Sequence, residues 1–325
     1  NKVNNLLELF YNQYQTQDKT SVFLQSLKEV ENKYSWEDVY SNIIKLSEEI
    51  SKYIKKGDRC LLISENRPEW LISDLSIMLS GGITVPAYTT YTERDYEYII
   101  DDCSPTVLII SDKTQYLKVK NIISKKEFIK KIIFFDVIEG FNKELHVNIK
   151  EIFANKNFSL LNFSEVKIQR KDVACIIYTS GTQGNPKGVI LSHGGILNNC
   201  EGALGLLKEF VSKKPKFLTW LPLSHSYEHT VQFVQIVVGA QVFYAESIEK
   251  LIKNMGNCSP EIMTAVPRFY QNLHQKINTN FSKATGIKKF LINQTIKLGN
   301  KKLNREPFSL IENLINFVCD LLVRK

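Results

Sequence analysis

The chain of 325 residues is 43% apolar and 11% aromatic, which is enough to bury a large core and favours two lobes over one small domain. Its formal net charge is +8, but the lysines occur as scattered pairs without a basic arm or stripe, so we expect no nucleic-acid partner. The six cysteines are far apart and lack a C-x-x-C motif, a pattern that matches neither a zinc site nor a disulfide scaffold and favours a reducing cytoplasm.

Membrane and targeting signals are weak. The longest apolar stretch, around residues 233–245, is too short to span a bilayer, and the N-terminus lacks the layout of a signal peptide. We therefore expect a soluble, cytoplasmic protein, while the positive charge leaves peripheral membrane contact open. The apolar stripe of the last helix, 310–323, leaves a homodimer open as well. The first residue is Asn1 instead of Met, which indicates a chain that was trimmed, processed or given in part.

Helical and strand patterns alternate along the first half of the chain. Ser35 and Asp38 form a capping box before a helix that ends ahead of Gly57. The elements that follow are a strand at 59–64, a helix at 68–79, a strand at 83–87, a helix after Thr92, a strand at 106–110, a helix after Asp112 and a strand at 131–135. Strands separated by such helices imply right-handed crossovers and a parallel sheet covered on both faces.

The periodicity weakens between residues 136 and 171, which predicts a junction between a first α/β subdomain, 1–165, and a second, 166–325. The alternation then resumes. The predicted elements are strands at 173–178, 217–221, 241–244 and 261–266 and helices at 194–210, at 228–238 and from 248. The chain is mainly helical from Pro267 and closes with an amphipathic helix, 310–323.

The stretch "YTSGTQGNPKGVILSH", residues 178–193, has the composition of a phosphate site. Tyr178 ends a buried strand, and the glycines that follow can adopt positive φ and turn several backbone N–H groups toward one point. Such a nest favours an anion. The side chains supply donors for phosphate oxygens, namely the hydroxyls of Thr179, Ser180 and Thr182, the amide of Gln183 and the ammonium group of Lys187.

This stretch is not a Walker A loop, which requires G-x-x-x-x-G-K-[ST] and then a helix. Here Pro186, Lys187 and Gly188 lead into an apolar run, 189–191, that is typical of a second strand. The predicted geometry is therefore strand, phosphate loop, strand. The alternative is a polar hairpin without a ligand, but the lysine after proline and the series of hydroxyls favour the phosphate site.

The same stretch resembles the phosphate-binding signature of the adenylate-forming enzymes, the superfamily of acyl-CoA synthetases, luciferases and peptide-synthetase adenylation domains. Gln183 stands where the family more often has Thr, and it keeps a hydrogen-bond donor. The resemblance assigns the phosphates of ATP to Thr179, Ser180, Gly181, Thr182, Gln183, Gly184 and Lys187.

Four further stretches resemble the long-chain fatty acyl-CoA synthetases, in the same order along the chain. They are "ENRPEW" (65–70), "GGITVPAY" (81–88), "LPLSHSYEH" (221–229) and "AVPRFYQNL" (265–273), with His229 where that branch often carries Arg. The resemblance implies an α/β fold of two mainly parallel sheets with helices on both faces, layered α-β-α-β-α. That is the fold of the large N-terminal domain of these enzymes.

The resemblance also implies a two-step reaction. A fatty-acid carboxylate attacks the α-phosphorus of ATP to give acyl-AMP and pyrophosphate, and the thiol of coenzyme A then displaces AMP. Since both partners in the first step are anionic, catalysis needs charge neutralisation and alignment more than an acid or base. By this resemblance Thr179 helps to position Mg²⁺, Lys187 holds the β- and γ-phosphates, and His225 completes the catalytic set by orienting the carboxylate or adenylate.

The segment after Pro222 is read by resemblance as a wall of the acyl and adenylate pockets. The residues assigned to that wall are His225, Ser226, Tyr227, Thr230 and Val234. An isolated histidine here would otherwise be a core or capping residue, and the apolar face of the helix can be core, acyl tunnel or both. Arg268 either pairs with a carboxylate or supports the site, and we expect Trp70, Trp220 and Cys175 to be packing residues.

Several family features do not occur in this sequence. These are a G-x-T-E segment, a T-G-D segment and the mobile C-terminal domain with its lysine, so we expect a truncated, N-terminal portion that is inactive alone. The leading hypothesis is an ATP-dependent long-chain fatty acid–CoA ligase. A non-catalytic nucleotide- or acyl-binding protein stays open, as does an adenylation module for an amino or aryl acid.

Overall fold

The computed structural model describes residues 2–29, 31–140, 142, 144–159, 163, 166–179, 185–207 and 209–323. The strands are β1 (Val22–Ser26), β2 (Lys33–Ser35), β3 (Arg59–Ile63), β4 (Ile83–Ala87), β5 (Val107–Ile110), β6 (Lys131–Phe134), β7 (His146–Asn148), β8 (Val173–Thr179), β9 (Lys187–Ser192), β10 (Lys216–Thr219), β11 (Gln241–Tyr244) and β12 (Ile262–Met263).

Helices connect most of these strands. They are α1 (Leu6–Thr16), α2 (Trp36–Ser51), α3 (Pro68–Leu79), α4 (Glu93–Cys103), α5 (Lys113–Ile123), α6 (Ile149–Phe153), α7 (His193–Leu207), α8 (Ser226–Val237), α9 (Leu251–Cys258), α10 (Pro267–Ser282), α11 (Gly286–Leu303) and α12 (Leu310–Leu322). The predicted capping box of α2 is formed by Ser35 with Asp38, and α4 begins, as predicted, after Thr92, which forms a second capping box with Asp95.

The strands form two sheets. The larger has the order β7-β6-β5-β3-β4-β8-β9, with every neighbouring pair parallel except β8 and β9. The smaller has the order β12-β10-β11-β1-β2, with only β1 and β2 antiparallel. The predicted fold of two mainly parallel sheets flanked by helices is confirmed.

The core explains why the strands are continuous apolar runs. In β3, Cys60 and Leu62 belong to a cluster that also contains residues of α1, α2, α3, α8 and the smaller sheet. Leu61 and Ile63, on the opposite face, pack in a second cluster with residues of α4 and α5. Both faces of the larger sheet are therefore buried, as expected for parallel strands with helical crossovers.

Both sheets combine strands from the two sides of the predicted junction at 165/166. The larger sheet takes β8 and β9 from the second segment, and the smaller one takes β1 and β2 from the first. The chain instead divides into two compact units, Asn1–Thr264 and Ala265–Lys325. The physical reason is that β1 lies between β2 and β11 and pairs with β11, which is more than 200 residues away in sequence.

The second unit consists of the three helices α10, α11 and α12. Lys301 on α11 donates a 2.8 Å hydrogen bond to Glu312 on α12, and Leu298 and Cys319 are buried in this unit. The apolar side chains on the outer side of α12 are exposed, including Leu310 and Leu314. Within the part of the chain that the structure describes, no helix has the length and apolar character needed to cross a membrane.

Candidate active site

Strands β8 and β9 pair antiparallel on the two sides of residues 180–186, as the sequence predicted for the flanking strands. Ser180–Gly184 lie outside the described residues, so the structure gives no account of the five loop residues assigned to ATP. At the end of the ladder Tyr178 pairs with Gly188 and Thr179 with Lys187. Thr179 and Lys187 are both exposed, so this last pair of the ladder offers one hydroxyl and one ammonium group to solvent.

The end of β8 is fixed by contacts with α4 and with the segment just before it. The Tyr178 hydroxyl donates a 2.5 Å hydrogen bond to Asp102 Oδ2, and the Tyr91 hydroxyl donates to the Tyr178 carbonyl at 3.2 Å. Burial and the Asp102 carboxylate raise the pKa of Tyr178, which keeps its phenol a donor. A side chain at Gly188 would place its Cβ 2.9 Å from Ile176, so glycine allows the two strands to approach next to Lys187.

His225 is the N-cap residue of α8 and is exposed. Its Nδ1 accepts a 3.2 Å hydrogen bond from the backbone N–H of Tyr227, so the neutral ring carries its proton on Nε2. Nε2 can therefore donate to an oxygen atom of a ligand. The same hydrogen bond caps the N-terminus of α8, which was the alternative role expected for this histidine.

The other residues assigned to the pocket wall lie in different environments. Ser226 and Thr230 are half-buried and linked, since the Thr230 hydroxyl donates to the Ser226 carbonyl at 2.9 Å. Tyr227 is 51% exposed, whereas Val234 is buried in the main core cluster. The first turn of α8 is thus available to a ligand, and at Val234 the apolar face of the helix is core.

The segment that carries His225 is tied to the loop after β3. Asn66 Nδ2 donates a 2.7 Å hydrogen bond to the Leu221 carbonyl, and its Oδ1 accepts a 3.0 Å bond from the Leu223 N–H. The stretches "ENRPEW" and "LPLSHSYEH" are therefore in direct contact although they lie 155 residues apart. Neither stretch contains a pattern that predicts this contact.

A second link joins the same elements deeper in the protein. His229 Nε2 on α8 lies 2.7 Å from Asp74 Oδ2 on α3, and neither side chain is exposed to solvent. His229 Nδ1 lies 3.5 Å from Cys175 Sγ on β8. Burial favours the neutral imidazole, but the Asp74 carboxylate outweighs that effect and raises the pKa of His229 to about 10. The pair is therefore an ion pair at neutral pH.

A cleft of about 530 Å³ opens where the carboxyl ends of the two sheets meet. It is lined by the segments after β1, β3, β4, β5, β10 and β11, including Asn66, Arg67, Tyr88 and Trp220. Thr179 ends β8, which is parallel to β4, and His225 follows β10, so both lie on these carboxyl edges. Ligands of open α/β sheets bind at such edges.

Arg67 lines the cleft, was not predicted as a site residue, and is held by ion pairs. Arg67 Nε lies 2.8 Å from Glu69, and its Nη1 lies 3.0 Å from Asp136. Trp220, expected to be a packing residue, donates its Nε1–H to the Thr264 carbonyl at 2.6 Å and also lines the cleft. The only sequence signal for Arg67 was its place within "ENRPEW".

Glu228 is a buried acid next to His229. Its Oε2 accepts a 2.7 Å hydrogen bond from Thr264, and its Oε1 has no partner among the described residues. Burial raises the pKa of Glu228 to about 7, although the Thr264 hydroxyl works in the opposite direction. This carboxyl group therefore titrates near neutral pH. No sequence pattern indicated a titrating acid at this position.

Arg268 is exposed at the start of α10, in the second unit. No group of three or more His, Cys, Asp or Glu side chains is arranged to hold a metal ion within the described ranges. Trp70 and Cys175 are buried packing residues, as expected.

A comparison with protein families matches residues 9–309 to the AMP-binding enzymes. The chain belongs to this family. The sequence is 28% identical over 286 residues to long chain acyl-CoA synthetase 3 of Arabidopsis thaliana, covering 84% of this chain and 43% of that protein. It is 30% identical over 242 residues to long-chain-fatty-acid–CoA ligase 6 of Homo sapiens, covering 71% and 34%. The chain therefore spans less than half the length of these curated relatives.

Solved structures of AMP-binding enzymes share the fold. ATP-bound MatB of Rhodopseudomonas palustris superposes with a TM-score of 0.66 at 20% identity, covering 83% of this chain and 51% of that chain. At this identity the likeness concerns the fold alone. The resemblance to adenylate-forming enzymes and to their long-chain acyl-CoA synthetase branch, first drawn from short motifs, is thus confirmed at the level of the family.

Proposed function

We propose that this AMP-binding enzyme activates a long-chain fatty acid with ATP. In the first step a carboxylate oxygen attacks the α-phosphorus, the bond to the β-phosphate breaks, and pyrophosphate leaves. In the second step the thiol of coenzyme A attacks the acyl carbon, releases AMP and loses its proton to solvent. The products are pyrophosphate, AMP and acyl-CoA.

The observation that carries this proposal is the pairing of Thr179 with Lys187 at the mouth of the loop 180–186. The ladder holds one hydroxyl and one ammonium group on opposite sides of a segment rich in further donors. An ammonium group with this placement neutralises charge on the β- and γ-phosphates and stabilises pyrophosphate as it leaves. We assign the backbone and side chains of Ser180, Gly181, Thr182, Gln183 and Gly184 to the same phosphates.

We assign His225 to the orientation of the reacting carboxylate or adenylate. Because Nδ1 accepts a hydrogen bond from the Tyr227 N–H, the Nε2–H of the neutral ring can donate a hydrogen bond to a ligand oxygen. Ser226, Tyr227 and Thr230 complete the proposed wall on the same turn of α8. Val234, which is buried in the core, supports this wall from behind.

Mg²⁺, which reduces the negative charge of the phosphates, fits this site only in part. Thr179 supplies one hydroxyl, and a hard cation prefers several oxygen ligands. We therefore propose that the remaining ligands are phosphate oxygens of ATP and water. Coenzyme A enters the proposal only as the thiol of the second step.

The test is ATP–pyrophosphate exchange by the complete protein that contains this sequence, with a series of acids. We expect exchange that depends on saturated fatty acids of roughly palmitate length and is absent with amino or aryl acids. Exchange with amino or aryl acids alone would instead identify an adenylation module for those substrates. Binding of ATP without exchange for any acid would identify a non-catalytic protein and contradict the proposal.

A further inference from the structure

Three elements meet at His229. Its ring lies on α8, its Nε2 contacts Asp74 on α3, and its Nδ1 contacts Cys175 on β8. The ring also packs edge-on against Trp70 of α3, with centroids 5.3 Å apart. Gln232, one turn further along α8, donates to the same Asp74 oxygen at 3.3 Å. The side chain of one buried histidine thus fixes α8 against both α3 and β8.

His229 and its partner Cys175 are each four residues away from a residue of the candidate site, His225 and Thr179 respectively. His229 follows His225 by one helical turn, and its N–H donates to the His225 carbonyl at 2.9 Å. Cys175 precedes Thr179 by four residues on β8, a distance of roughly 13 Å along an extended strand. A shift of α8 along β8 would therefore change the spacing between His225 and Thr179.

Stability alone does not account for a buried ion pair at this position. Burial of two charges carries a desolvation cost that often equals the gain, and apolar residues of similar volume stabilise a core equally well. A hydrogen-bonded ion pair does fix the geometry of the two helices, since it sets the distance between one donor atom on α8 and one acceptor atom on α3. Phe233 and Ile236 are also buried on α8, but contacts between apolar side chains fix no donor–acceptor distance.

We propose that Asp74 and His229 are positioning residues, which hold the start of α8 at a fixed spacing from the phosphate loop. The inference rests on the proposed function, in which Thr179 contacts the phosphates of ATP and His225 orients the carboxylate or adenylate. Neither Asp74 nor His229 contacts a ligand, since both are fully buried. Their role is to align the two reactants before the attack on phosphorus.

The experiment compares the complete protein with its Asp74→Asn and His229→Gln variants in acid-dependent ATP–pyrophosphate exchange. A small misplacement of reactants costs up to about 100-fold in rate, so we expect kcat to fall by about 10- to 100-fold in each variant. The KM for ATP should change by less than about threefold, because the loop itself is intact. The double variant should lose no more than either single variant, because both break one link.

Ile132→Ala is the matched control, since Ile132 is buried in the second core cluster on β6, which three strands separate from β8. It should lower the midpoint of thermal unfolding by at least as much as His229→Gln while leaving kcat within about twofold. Wild-type kcat in a folded Asp74→Asn variant, which is nearly isosteric, would overturn the inference. Losses that multiply in the double variant would do so as well.

Amide hydrogen exchange provides a readout that does not depend on activity. We expect the amide hydrogens of residues 227–232 to exchange faster in Asp74→Asn and His229→Gln than in the unmodified protein. In Ile132→Ala their protection relative to the rest of the core should be unchanged. If no acid supported pyrophosphate exchange in the unmodified protein, the proposed function would fail, while this measurement would still decide whether the pair holds α8. Unchanged protection in both variants would contradict the positioning role.

Discussion

His229 Nε2 lies 2.7 Å from Asp74 Oδ2 in a part of the core where neither side chain is exposed. The folded state holds the His229 proton up to a pKa of about 10, against 6.5 for an ordinary histidine. Between these values the native protein binds more protons than the unfolded chain, so stability falls as the pH rises. The same contact that aligns α8 therefore makes the protein sensitive to alkaline pH.

The first prediction concerns this alkaline loss of stability. From pH 7 to 8.5 the free energy of unfolding should decrease, and one proton limits the contribution of His229 to roughly 1.4 kcal/mol per pH unit. His229→Gln should flatten the slope, because glutamine does not titrate. Urea unfolding of both proteins across this range measures the effect. An equal slope in the variant would show that the folded state does not retain the His229 proton.

The second prediction concerns Glu228, whose pKa is raised from 4.5 to about 7 by burial. The native carboxyl group keeps its proton where the unfolded one has lost it, so its contribution to stability is fully present below pH 4.5 and is lost as the pH rises toward 7. For a shift of this size the loss is about 3 kcal/mol.

Glu228→Gln should remove that dependence and stabilise the protein at pH 7. The control is Glu97→Gln, at an exposed position of α4. Unfolding free energies of the three proteins at pH 4.5, 6 and 7.5 provide the comparison. A stability of Glu228→Gln below that of the unmodified protein at pH 7.5 would show that the carboxylate is ionised and paired in the native state.

The third prediction concerns the contact of Asn66 with the segment before His225. Asn66→Ala removes both hydrogen bonds to the backbone of Leu221 and Leu223 and should lower the free energy of unfolding by roughly 2 kcal/mol. Asn66→Asp keeps the acceptor for the Leu223 N–H but has no donor for the Leu221 carbonyl while it is ionised. The protonated acid regains an O–H donor, so the loss should be smaller in assays at low pH.

The control for Asn66 is Asn121→Ala, at an exposed position of α5. Chemical unfolding gives the stability differences, and we expect less than about 0.5 kcal/mol for the control. Equal stabilities of Asn66→Ala and Asn121→Ala would mean that the link between the two stretches contributes nothing. In that case the loop before His225 would be held by other contacts.

Local signals in the sequence were sufficient for most of the larger sheet. Its strands are short apolar runs between helices, and two capping boxes mark helix starts at Ser35 and Thr92. The first 34 residues gave no prediction, although they form α1, β1 and most of β2. β1 is an interior strand, but its partner β11 is more than 200 residues away, and no local pattern specifies a pairing over that distance.

The candidate site shows the same division. The hairpin around the phosphate loop was predictable because Thr179 and Lys187 are close in sequence and flanked by two strand patterns. The Asp74–His229 pair was not, because its members are 155 residues apart and each lies in a helix whose pattern indicates packing. A buried charge is recognised only when the fold places its partner beside it.

The central claim is that Lys187 binds the phosphates of ATP during the activation of a fatty acid. The direct measurement is palmitate-dependent ATP–pyrophosphate exchange by the complete protein and its Lys187→Ala variant, with Lys213→Ala, an exposed lysine before β10, as the matched control. We predict a loss of about 100-fold or more in kcat/KM for Lys187→Ala and less than about twofold for Lys213→Ala. Unchanged rate and unchanged ATP affinity in Lys187→Ala would contradict the account.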